Sequence, residues 1–150
     1  LGNEILFFNN LRGEVMDVKK FKYDPTFKDR VFDRQVFKHG DRVIIPSGGY
    51  VLGMSLEYIR IPRDLKGRCV GKSTLARSGV LINTTPLEPE WHGYLTIEIG
   101  NVSPMPACIY VGEGIAQLEF ELLNSEPEVS YKDKGGSYQG QMCVTPAMVK

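Results

Sequence analysis

The sequence predicts an all-β fold, a sandwich or barrel of short strands with one short helix. Three observations carry that prediction. Apolar stretches are short or alternating, and helical periodicity is scarce. Turn formers separate them: Pro46 with Gly48 and Gly49, Pro62, Pro86 with Pro89, Pro104 with Pro106, and Gly112 with Gly114. Strand and breaker then recur at the spacing of a sandwich or barrel.

The elements follow in order. The first strand is Glu4–Phe8. Arg42–Ile45 and residues 50–58 flank the Pro46–Gly49 turn, and residues 67–70 follow Pro62. Residues 73–78 make one or two turns of helix, with Ser73 suited to the N-cap. Val80–Asn83, residues 94–100, Ala107–Tyr110 and residues 115–122 complete the strands. Beyond Asn124 the chain is polar and Gly-rich, with Gly135, Gly136 and Gly140, and reads as a tail or lid over the barrel. No internal repeat is present. The 150 residues read as a single domain with 124–150 as its tail.

Period-two alternation gives the sharpest inference. Leu95, Ile97 and Ile99 share one face of their strand, and Tyr94, Thr96 and Glu98 share the other. Ala116, Leu118 and Phe120 form the apolar set of the last strand, with Gln117 and Glu119 opposite. Thr96, Glu98 and Gln117 are therefore polar groups off the core. A solvated outer face explains such residues without any chemistry, so periodicity leaves their role open.

Lys plus Arg number 18 and Asp plus Glu number 18, a formal net charge of zero. That balance argues against binding nucleic acid or an anionic membrane by bulk charge. Apolar residues at 42% and charged residues at 24% are ordinary for a soluble domain. The charge is nevertheless segregated. Between Arg60 and Gly79 stand six basic residues and one acid, Asp64, whereas Pro86 to Glu128 holds eight Glu and no Lys or Arg. The basic block raises the question of an anionic ligand.

Cys69, Cys108 and Cys143 are odd in number and widely spaced, a poor disulfide framework that points to a reducing compartment. With His39 and His92 the only histidines and no CxxC, a structural zinc site is not expected. No apolar run reaches the roughly 18 residues of a membrane helix, and no signal peptide is visible. The chain starts at Leu1 rather than Met, so it reads as processed or lacking its natural start.

Gly71-Lys72-Ser73-Thr74 looks like the end of a P-loop, but GxxxxGK[ST] needs Gly at position 66, which is Lys. Lys72, Ser73 and Arg77 at the start of a short helix still suit phosphate oxygens. A plain capped turn is an equally good account of that segment alone. Neither His is followed by x-Glu, and Pro106-Ala107-Cys108 lacks a second Cys, so the zinc-deaminase signature is missing. No G-x-S-x-G elbow occurs. His92 beside Trp91 reads as a turn residue.

The run GKSTLARSGVLINTTPLEPEWHGYLTIEIGNVSPMPACIYVGEGIAQLEF, residues 71–120, resembles the core of dCTP deaminases. The segment YKDKGGSYQGQ, residues 131–141, is similar to that family's C-terminal nucleotide-closing segment. The specific features are G-K-S-T-L-A-R-S-G, the E-P-x-W-x-G turn and T-I-E-I. The resemblance implies a distorted jelly-roll barrel of the dUTPase-like (β-clip) type, shared with dUTP pyrophosphatases. It implies a cytoplasmic homotrimer with nucleotide sites between subunits. It implies conversion of dCTP to dUTP and ammonia with no metal in catalysis, Mg2+ arriving on the triphosphate, and dTTP as an inhibitor.

The same resemblance implies site residues. Glu98 matches the catalytic carboxylate that activates water, with Ser73 and Arg77 positioning water and base. Lys72, Ser73, Thr74, Leu75, Ala76 and Arg77 match the nucleotide-binding segment. Thr96 and Ile97 flank the base through backbone groups. Gln117, Tyr131 and Gln141 match the remaining nucleotide contacts. Two departures stand out. The family's N-terminal helical segment and the strand before the equivalent of Leu1 are absent, and Ser137 replaces a Lys expected to bind phosphate, which Lys132 or Lys134 could replace. The rival readings are a bifunctional dCTP deaminase and dUTP pyrophosphatase forming dUMP, and a non-catalytic nucleotide-binding barrel.

Overall fold

A computed structural model of the chain describes residues 1–9, 13, 15–24 and 26–148. Among them the strands are β1 (Glu4–Phe8), β2 (Phe32–Val36), β3 (Arg42–Ile45), β4 (Tyr50–Arg60), β5 (Leu65–Gly71), β6 (Val80–Asn83), β7 (His92–Asn101), β8 (Ala107–Tyr110) and β9 (Ala116–Leu122). The helices are α1 (Lys20–Tyr23), α2 (Phe27–Val31) and α3 (Ser73–Arg77). The strands form a five-stranded sheet in the order β2-β1-β4-β7-β6 and two ribbons, β3-β8 and β5-β9. Every strand pair is antiparallel. The all-β expectation holds. No helix among the described residues is long and apolar enough to cross a membrane.

The main core lies between the large sheet and the ribbons. Ile5, Val51, Ile97 and Ile99 project into it from the sheet, against Val43, Ile45 and Ile109 from the β3-β8 ribbon. Burial alternates without a break along β7, with Leu95, Ile97 and Ile99 inside and Tyr94, Thr96 and Glu98 on the opposite face. Asn101 closes the end of that strand. Its side-chain amide donates to the carbonyls of Ile45, Pro46 and Met105 at 3.0, 3.0 and 2.8 Å, and its oxygen accepts from Ser103. A buried amide satisfied this fully is a fixed corner rather than a penalty.

The other face of the large sheet carries a second, smaller core. Leu6 and Leu52 from the sheet meet Phe27 and Val31 of α2, Phe32, and Val144 of the tail. The consecutive apolar pairs Ile5-Leu6 and Val51-Leu52 mark it. Neighbours on a strand point to opposite faces, so two apolar neighbours need cover on both sides.

Four sequence expectations change. The strand β2 and helices α1 and α2 lie where none is expected. β2 is a mostly exposed edge strand, FDRQV, with no alternation to betray it, and each helix is barely one turn. The strands β4, β5 and β7 run longer than expected, and His92 is the first residue of β7 rather than a turn residue. The N-cap of α3 is Lys72, not Ser73, and no side chain caps it. Leu118 and Phe120 do not enter the core. They stand 38% and 56% exposed, with Leu122 at 73%. They are the register partners of Cys69, Gly67 and Leu65 of β5, and their exposure rises toward Leu122, so the described residues leave that end of the ribbon largely uncovered.

Candidate active site

The face of β7 that bears Thr96 and Glu98 forms one side of a cavity of about 450 Å3. Phe8, Phe32 and Tyr50 give it an aromatic wall, with Phe8 packed edge-on to Phe32 and Tyr50 at centroid distances of 4.6 and 5.4 Å. Trp91 and the tail residues Tyr131, Tyr138, Gln141 and Thr145 close the other side.

Glu98 is the ionisable centre of this wall. Its register partner on β6 is Asn83, whose amide donates to Glu98 Oε2 at 2.9 Å. That contact orients the carboxylate and leaves Oε1 without a protein partner among the described residues. Burial pushes the Glu98 carboxyl above its ordinary value, and the Asn83 hydrogen bond offsets part of the rise. The Tyr50 phenol is also pushed up, first by burial and then by the negative charge of Glu98. A half-buried, oriented carboxylate with a raised pKa is what a general base for water requires.

The tail is built onto this wall. Tyr94 N–H donates to Gln141 C=O at 2.9 Å, and Gln141 Nε2 donates back to Tyr94 C=O at 2.8 Å and to Thr96 Oγ1 at 2.5 Å. Thr145 N–H donates to the same Thr96 hydroxyl at 3.2 Å. Gly93, with φ of +148°, makes the approach possible, because a Cβ there would lie 2.9 Å from Gln141 N. Trp91 Nε1 donates to Tyr138 C=O at 3.0 Å, and Tyr138 N–H donates to the Tyr131 hydroxyl at 2.9 Å. Tyr131 seats against Gly136, where a Cβ would overlap its ring.

The main chain beside Glu98 is open on one side. β6 ends at Asn83, opposite Glu98, and the tail bonds the β7 main chain at His92, Gly93 and Tyr94 and reaches Thr96 through its hydroxyl. Residues 95–97 thus have β4 on one side and no strand among the described residues on the other. Ile97 itself is 4% exposed and turns its side chain into the main core.

Of the expected site residues, the cavity brings together Glu98, Thr96, Tyr131 and Gln141. Residues 72–77 and Gln117 are not among those that line it. Lys72, Ser73, Thr74, Leu75, Ala76 and Arg77 lie at and within α3, beyond β5, and Gln117 sits exposed on β9 opposite Val70. The basic block divides accordingly. Lys66 and Arg68 pair across the ribbon with Glu121 and Glu119 at 3.0 and 3.6 Å, and Arg63 is surrounded by acids. Lys72 and Arg77 have no ion pair among the described residues. Lys134 is paired with Glu88 and lies over the Tyr131 ring.

Sequence reasoning misses Asn83, Tyr50 and Trp91 as parts of this site. Only strand register sets Asn83 against Glu98, whereas Trp91 stands inside the E-P-x-W-x-G motif. Among the described residues no three His, Cys, Asp or Glu side chains gather as a ligand set, and all three cysteines are free.

Comparison with known proteins defines the class and then the family. The fold is similar to that of the crystal structure of 2'-deoxycytidine 5'-triphosphate deaminase from Agrobacterium tumefaciens, with a TM-score of 0.70 over 83% of this chain, 38% of that chain and 14% identity. It is also similar to the dUTPase of EIAV, with a TM-score of 0.52 over 65% of this chain, 78% of that chain and 23% identity. The chain is thus a dUTPase-like barrel. It belongs to the dCTP deaminase-like family, whose model matches residues 1–123. A dCTP deaminase of Albidiferax ferrireducens is 47% identical over 142 residues, 95% of this chain and 70% of that protein. One from Francisella tularensis subsp. novicida is 47% identical over 143 residues, 95% of this chain and 71% of that protein.

Proposed function

We propose that this chain is a dCTP deaminase that hydrolyses the exocyclic C–N bond of the cytosine in dCTP, giving dUTP and ammonia. The observation that carries the reading is Glu98: oriented by Asn83, raised in pKa by burial, and set in a cavity wall beside open backbone. Glu98 takes a proton from water, and the oxygen attacks C4 of the ring. The carboxyl passes that proton to N3, accepts the second proton of the former water, and delivers it to the amino group, which leaves as ammonia. Each water atom is accounted for: oxygen stays on C4, one hydrogen on the ring and one on the amine. Backbone groups of Thr96 and Ile97 read the base edge, and Tyr131 and Gln141 cover the nucleotide.

The working unit in this reading is a homotrimer with sites between copies. Two observations support it. The cavity holding Glu98 lacks residues 72–77 and Gln117 of its own chain, and β9 carries the uncovered stripe Leu118, Phe120 and Leu122. A neighbouring copy would then bring Ser73 and Arg77 to water and base, and Lys72, Thr74 and Gln117 to the nucleotide. The triphosphate carries Mg2+ as part of the substrate, and dTTP competes for the same site.

The test is to incubate the protein with dCTP and follow ammonia, dUTP and pyrophosphate. Ammonia with dUTP supports the reading. Pyrophosphate with dUMP identifies a bifunctional enzyme, and no turnover with retained binding identifies a nucleotide-binding barrel. Glu98→Gln should abolish ammonia release and keep dCTP binding; a variant that still deaminates removes Glu98 as the base.

A further inference from the structure

We propose that Arg63, outside the cavity, is a positioning residue for this reaction: it ties the turn before β7 to the root of the tail and so sets the Trp91 and Tyr131 side of the cavity that holds Glu98. The inference rests on the deaminase reading for its kinetic consequence only.

Arg63 lies between β4 and β5, and its guanidinium joins two segments distant in sequence. Nη1 donates to Glu90 Oε2 at 2.6 Å and to Asp133 Oδ2 at 2.9 Å. Nη2 donates to the carbonyls of Pro127 and Glu128 at 3.0 and 3.3 Å, and Nε faces Glu126 at 3.4 Å. A planar fork with several donors can make these contacts at once, and a Lys ammonium cannot.

Both ends lead to the cavity. Glu90 is the one non-glycine residue with positive φ among the described residues, at +64°. Such a conformation persists only where its surroundings hold it. Arg63 holds the side chain, Glu90 N–H donates to Ile61 C=O at 3.0 Å, and Gln139 Nε2 donates to Glu90 C=O at 2.8 Å. The next residue is Trp91, which lines the cavity and donates to Tyr138. At the other end, Asp133 accepts from Ser130 N–H at 3.0 Å, and its own N–H donates to Ser130 Oγ at 3.2 Å. That turn carries Tyr131 onto the cavity. Hydrogen bonds from Ser130 and Arg63 hold both the Glu90 and the Asp133 carboxyls below their usual range, so the anchor stays charged across neutral pH.

The experiment compares wild type, Arg63→Met and Arg63→Lys as full-length chains. Steady-state dCTP kinetics are read beside amide hydrogen exchange. Arg63→Met should raise KM for dCTP about five- to tenfold with kcat within about twofold. Exchange should accelerate by a similar factor at the Tyr131 and Gly140 amides, which donate to Pro89 and His92 carbonyls, and remain unchanged at Ile99 in the sheet. Arg63→Lys should restore only part of either effect. Unchanged KM, unchanged tail exchange, or equal acceleration at Ile99 overturns the proposal, the last because it marks a general loss of stability. If wild type releases no ammonia, the deaminase reading fails instead, and the exchange comparison alone then supports or overturns the hold of Arg63 on the tail.

Discussion

Val144 offers the most direct handle on the tail. It is 0% exposed and packs in the second core with Leu6, Phe27, Val31, Phe32 and Leu52. Val144→Ala deletes two methyl groups. At about 0.8 kcal/mol each, transfer alone accounts for about 1.6 kcal/mol. The hole left between the sheet and α2 raises the loss toward about 2–3 kcal/mol. Since about 1.4 kcal/mol is a factor of ten, the docked-to-open ratio of residues 142–148 should fall roughly 30- to 140-fold. The opening should be local, because Gln141 is independently fastened to Tyr94 and Thr96. Native-state hydrogen exchange at the Thr145 amide, which donates to Thr96 Oγ1, reads this ratio. Exchange at Ile99 serves as the control. Thr145 and Ala147 line the cavity, so KM for dCTP should rise in the same variant. A Thr145 amide that exchanges at the wild-type rate, or one that accelerates only in step with Ile99, would show that the tail end does not dock as a separate unit.

Other expectations follow from single observations. The folded-state pKa of Glu98 lies above its ordinary value of 4.5, so its carboxylate opposes folding as pH rises through and beyond that range. Glu98→Gln should therefore melt higher than wild type at neutral pH and lose that advantage as pH falls below the ordinary carboxylate value; parallel melting curves across pH would refute the burial argument. Ser137→Lys adds a cation to the tail where Lys134 is already engaged by Glu88, and should lower KM for dCTP in a salt-sensitive way. No change in KM would place the tail away from the phosphates. Phe120→Glu puts a charge in the exposed stripe of β9, and light scattering should then report single chains with deamination lost. An intact oligomer would mean that copies meet elsewhere.

Much of the fold is legible in the sequence, because local rules cover it. β1, β3, β6 and β8 occupy the expected residues, and the β7 alternation sorts Glu98 and Thr96 from Ile97 and Ile99. β2 escapes because an edge strand need not alternate, and α1 and α2 escape because a single turn has no period. The apolar set of β9 misleads for another reason. Alternation shows that Leu118 and Phe120 share a face, not whether this chain has anything to lay against it.

The candidate site divides along the same line. Residue type and strand period mark Glu98 as a carboxylate off the core, and the motif at 88–93 marks a tight turn before it. Tertiary structure alone supplies Asn83, which reaches Glu98 through strand register, and Val144, which seats the tail from 92 residues beyond Leu52. It also answers the question raised by the basic block. Arg63, Lys66 and Arg68 are engaged by acids from residues 90–133, while Lys72 and Arg77 are not. Net charge and charge runs are properties of the chain in order. Which charges meet depends on contacts across long sequence separations, and those exist only once the sheet, the ribbon and the tail have packed together.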